Sequence, residues 1–120
     1  MRSRRRLAAA RGLVAEETGR DPGGARIGIG LVGRRTYVVA ALEGSLVLVP
    51  VRPVLPVRRL PDAPSVTFPA GTVDVVRRRG ALGYRAFDLV APGGRQRLLV
   101  ARLWTDLVGD LDERAGRRRD

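Results

Sequence analysis

Apolar residues along this chain recur mostly at every second position, and only near the two ends at helical spacing. Ile27, Ile29 and Leu31 alternate with Gly28, Gly30 and Val32, which predicts a strand with one apolar face and one nearly bare face. "TYVVAAL" (Thr36–Leu42) and "LVLVPV" (Leu46–Val51) are β-branched and apolar runs joined by "EGS" (Glu43–Ser45), the pattern of a hairpin. The proline-rich stretch Val51–Pro64 predicts an extended loop or sheet edge, because proline has no N–H to give a ladder. Ser65–Phe68 and Thr72–Arg79 read as further strands. Tyr84–Val90 and Arg95–Ala101 form a second hairpin around the turn "APGG" (Ala91–Gly94).

The period then changes. Leu103, Trp104, Leu107, Val108 and Leu111 form a helical stripe, the candidate core of a helix that caps the strands. At the other end, Leu7, Ala10, Leu13, Val14 and Ala15 share a face of a candidate helix over Leu7–Thr18. Its charges oppose the helix dipole, with Arg at the start and Glu16–Glu17 near the end.

The chain has 120 residues, enough for one domain with one modest core. Five aromatic side chains are available, at Tyr37, Phe68, Tyr84, Phe87 and Trp104, so valine, leucine and alanine must supply most of that core. Net charge is +11 and every basic residue is arginine. A coding bias accounts for the all-arginine usage as readily as guanidinium chemistry does, since arginine and lysine differ mainly at bidentate or stacked sites. The positive charge extends through the body of the chain and favours encounters with anionic partners.

Catalytic chemistry finds little material here. With no histidine and no cysteine, the commonest general base and the soft metal ligands are absent, and no metal site is expected. Gly28, Gly30 and Gly33 in "IGIGLVGRR" have the spacing of a dinucleotide-binding loop. The residues after Gly33 predict a strand rather than the helix whose N-terminus would hold phosphate, and no acid stands about 20 positions onward. No dinucleotide or other cofactor is expected, and the glycines read instead as points of close backbone approach. Arg34–Arg35 and Arg77–Arg78–Arg79, at strand ends, are the candidate anion-binding residues. A solvated basic rim is the alternative reading of both.

Two stretches carry a resemblance to a known family. "YVVAALEGSLVLVPVRP" (Tyr37–Pro53) and "FPAGTVDVVRRRGALGYRAFDLVAPGGRQRLLVARLWTDLVGDL" (Phe68–Leu111) resemble the element order of bacterial pleckstrin-homology-like (PH-like) domains. The resemblance implies a mainly β (α+β) fold, a bent antiparallel β-sandwich or barrel of about six to seven strands capped by a C-terminal α-helix. It places a PH-like domain over residues 24–116, after a basic N-terminal arm or short helix (1–23) and before a basic tail (117–120). Such domains host phosphoinositide binding, peptide binding and oligomerisation. Arg34–Arg35 falls where the lipid-binding members carry a basic signature, without the rest of that pattern.

The expected function is therefore a non-catalytic binding or assembly module. Protein–protein interaction or self-association through an uncovered strand edge comes first. Peripheral binding to anionic membrane lipid, through Arg2–Arg6 and Arg34–Arg35, is the alternative, with nucleic acid behind it. The lack of cysteine and of an apolar membrane span fits a cytoplasmic protein, including one peripheral at a membrane.

Overall fold

The computed structural model describes residues 2–19, 26–43, 45–52, 57–69, 71–80 and 82–117, with side chains from 8 to 116. The elements run α1 (Arg2–Thr18), β1 (Arg26–Val32), β2 (Arg35–Leu42), β3 (Ser45–Val51), β4 (Val66–Phe68), β5 (Asp74–Arg78), β6 (Tyr84–Ala91), β7 (Gly94–Ala101) and α2 (Thr105–Arg117). All strand pairings are antiparallel, in the order β4-β3-β2-β1-β7-β6-β5. β1 joins the two halves. Its whole length pairs with β2, and its last three residues, Gly30 to Val32, also pair with β7. The result is a mainly antiparallel β, sandwich- or barrel-like fold capped by the C-terminal helix.

Strand alternation sorts the apolar side chains into two cores. On the inner face Val39, Ala41, Leu46, Leu48, Val75, Phe87, Leu89, Leu98 and Val100 close around Trp104, Leu107 and Leu111. On the outer face of β1 to β3, Ile27, Val38, Ala40, Val47 and Val49 pack against Ala10 and Val14 of α1. Burial on both faces explains why β2 and β3 read as unbroken apolar runs, since Val38 to Ala41 and Leu46 to Val51 are buried at every position.

α1 begins five residues before the expected start at Leu7. It has no acid in its first turn and no base in its last, so its dipole is uncompensated, and packing has to hold it. Ala10 and Val14, four apart, supply that contact. Gly19 stops the helix at φ +70°, with its N–H donating to the Ala15 carbonyl at 2.9 Å. Arg59 then ties the end of α1 down through Glu17, at 3.2 Å. The segment expected as an arm or short helix thus carries a helix seated on the sheet. Residues 20–25 and 118–120, including most of the expected basic tail, lie outside the described residues, as do the side chains of Arg2–Arg6.

One member of the predicted helix-cap core is corrected. Trp104, Leu107 and Leu111 are buried and Val108 is half-buried against them, but Leu103 is 58% exposed. The helix starts at Thr105, and the Trp104 carbonyl accepts its first bond, from Val108 N–H at 3.0 Å. Helical spacing does not extend back through that capping position, so Leu103 falls in the preceding turn.

Candidate functional site

The two arginine groups singled out in the sequence are not brought together. Arg34 and Arg35 lie at the β1–β2 turn, where Gly33 takes φ +62°. With Thr36, Val51 and Leu60 they line an open groove of about 390 Å³. Its far wall is fixed by an isolated bridge between Val51 and Arg59 and by the Leu60 N–H donating to the Pro50 carbonyl at 2.9 Å. Both arginine side chains are exposed.

Arg77, Arg78 and Arg79 separate because strand neighbours point to opposite faces. Arg77 meets Asp112 of α2 at 3.0 Å, tying the outermost strand β5 to the capping helix. Arg78 turns to the outer face and donates from Nε to Asp88 Oδ2 at 2.7 Å. Arg79 is exposed, just beyond the end of β5.

Asp88 organises the outer face of β5, β6 and β7. It is the one buried charged residue among those described, at 2% exposure. In the register it lies opposite Val76 on one side and Arg97 on the other. Arg97 donates from Nε to Oδ1 at 3.2 Å, and Arg95 approaches Oδ2 at 3.8 Å. The hydrogen bond from Arg78 holds the Asp88 carboxyl below the ordinary carboxylate range against the opposing effect of burial, and Arg97 adds to it. Three guanidiniums thus share one carboxylate. The contacts from Arg78 and Arg97 use Nε–H, and a guanidinium has five N–H donors, so the cluster retains donors and positive charge for an incoming anion.

Arg95, Arg97 and Asp88 were not singled out in the sequence. The signal was present: the turn Ala91–Gly94 fixes the hairpin register, and that register places Asp88 opposite Arg97. What could not be read was that Arg78, from a third strand, reaches the same carboxylate.

The "IGIGLVGRR" stretch is β1 and its turn into β2, so a strand and not a helix follows Gly33. Gly28 and Gly30 face inward, where Trp104, Leu107 and Leu98 press against them. Among the described residues no group of three or more acidic, histidine or cysteine side chains has metal-binding geometry, and no helix is long and apolar enough to cross a membrane. Comparison with protein families, curated proteins and solved structures finds no match for this chain.

Proposed function

We propose that the chain is a non-catalytic binding module that engages a protein partner through the outer face of β5, β6 and β7. The observation that carries this reading is the unequal covering of the sheet. α1 lies on the outer face of β1 to β3 and α2 fills the inner side, while among the described residues no helix packs on the outer face of β5 to β7. That face displays Arg78, Arg95 and Arg97 around Asp88, with half-buried Val76, Val90 and Leu99 between them.

Charge selects the partner's chemistry. A second copy of a chain with net charge +11 would be repelled, whereas an acidic protein surface is attracted. Strand-edge addition has short templates here. The outermost strands are three-residue β4 and five-residue β5, and β5 is tied to α2 through Arg77 and Asp112. The order of seven strands followed by a capping helix supports the PH-like reading of the architecture.

The test is a backbone-amide NMR titration with a poly-glutamate peptide as acidic probe. The expected result is shift changes concentrated on outer-face residues of β5 to β7, centred on Asp88 and Arg97. Changes centred on the Arg34–Arg35 turn, or none at low salt, would overturn the proposal.

A further inference from the structure

The large hydrophobic side chains left exposed by the fold are Leu82, Tyr84 and Leu103, among the described residues. Leu82 and Tyr84 are near neighbours in the sequence and Leu103 is distant from both, but the backbone brings the three to one end of the molecule. Leu82 lies in the β5–β6 loop and Leu103 in the β7–α2 turn. The two segments are joined by the Arg102 N–H donating to the Gly83 carbonyl at 2.8 Å. Tyr84 pairs with Ala101 at the base of both.

Leu82 is unfavourable twice over. It is 97% exposed, so its side chain gains nothing from the core. It also holds φ +50°, a left-handed conformation that penalises any residue with a Cβ and is normally left to glycine or asparagine. Neither the turn nor the core requires leucine at this position, and retained strain with exposed apolar surface marks a contact site.

The surroundings are basic. Between Val75 and Phe87, and between Arg95 and Thr105, there is no acid, and these segments bring Arg79, Arg85 and Arg102 next to the leucines in the chain. Asp106, in the first turn of α2, is the nearest acid in sequence to Leu103. We infer that Leu82 and Leu103 form a two-pronged tip that inserts into the interface of an anionic lipid bilayer, with the neighbouring arginines on lipid phosphates. Apolar prongs on two adjacent turns fit a soft, flat bilayer, and the basic collar matches its surface charge. This tip is distinct from the Arg34–Arg35 turn expected to contact lipid. In the register Gly30 lies opposite Val100 and Val32 opposite Leu98, so the β1–β2 turn lies toward the start of β7 and the tip at its end.

The experiment is co-sedimentation of the full chain with phosphatidylcholine vesicles, with and without phosphatidylglycerol, at low and high salt. Wild-type protein is expected to partition onto the phosphatidylglycerol vesicles only. The double variant Leu82→Asn and Leu103→Ser removes both prongs, and asparagine tolerates the left-handed backbone, so the fold is kept; near-ultraviolet circular dichroism of Trp104 checks this. Its partitioning is expected to fall about tenfold or more, while Arg34→Ala with Arg35→Ala leaves the leucine contribution intact. Equal partitioning of wild type and the leucine variant would overturn the inference, because charge alone would then explain binding. No binding to anionic vesicles at low salt would also overturn it. So would concentration-dependent self-association that the leucine variant abolishes, which would assign the tip to a second copy.

Discussion

A Cβ placed on Gly28 would lie 2.9 Å from both Cβ and Cγ of Trp104. The capping helix therefore enters the sheet through the space a side chain would fill. Leu107 Cδ2 lies at the same 2.9 Å, so β1 meets the first turn of α2 with no slack. The spacing that resembles a phosphate loop is accounted for here by helix-on-strand packing.

Gly28→Ala should accordingly destabilise the fold by about 1–3 kcal/mol, the usual cost of overpacking. The indole base and its backbone must move, since Cβ of Trp104 is not the free end of a flexible chain. Gly12→Ala is the control. It lies within α1 with nothing within 4 Å of the added Cβ, and should stabilise by about 0.5–1 kcal/mol. Urea unfolding followed by Trp104 fluorescence measures both.

The terminal stripe gives a second contrast. Leu107→Ala should cost about 2–5 kcal/mol because the side chain is fully buried against both the sheet and Trp104. Leu103→Ala should change stability by no more than about 0.5 kcal/mol, since its side chain stands largely in water. Equal losses at the two positions, measured by the same unfolding curves, would mean that α2 begins earlier and that Leu103 is core.

Much of this was legible from period alone. The alternation in β1, the hairpins β2–β3 and β6–β7 and the buried stripe Trp104–Leu107–Leu111 all follow from side-chain spacing and turn chemistry, which act over a few residues. Leu103 failed for a local reason: the stripe was extended by helical spacing through Trp104, where the backbone is not yet helical. The candidate site was less legible. Arg77, Arg78 and Arg79 look like one cluster in sequence, but the pleat sends Arg77 to Asp112 and Arg78 to Asp88. The packing of α1 on β1 to β3 was also hidden, because its charges argue against a helix and only the two-sided burial of β2 and β3 rescues it.

Acid should loosen the β5–β7 face. The folded state holds the Asp88 carboxyl below its unfolded value, so the native protein binds fewer protons there. The stability this contributes is complete above the unfolded value near about 3.9 and is lost as pH falls through the lower folded value. Glu17, lowered by hydrogen bonds with Ser65 and Arg59, behaves the same way at the end of α1. Asp88→Asn should cost about 1–3 kcal/mol at neutral pH, by leaving three guanidiniums around an uncharged group. It should also flatten, but not abolish, the fall in stability below pH about 4, because Glu17 still titrates. Thermal unfolding across an acid pH series checks the slope; an Asn variant as acid-sensitive as wild type would rule out Asp88 as its source.

The most direct measurement compares two double charge reversals of identical net charge: Arg95→Glu with Arg97→Glu, and Arg34→Glu with Arg35→Glu. Affinity for a poly-glutamate peptide is read by calorimetry at fixed low salt. Overall charge is the same in both, and because Arg95 and Arg97 also neighbour the buried Asp88, near-ultraviolet circular dichroism of each variant first checks that the fold is kept. If the outer face of β5 to β7 is the binding surface, the first variant loses more than about tenfold relative to the second. Equal losses, or a larger loss from the Arg34–Arg35 variant, would contradict it.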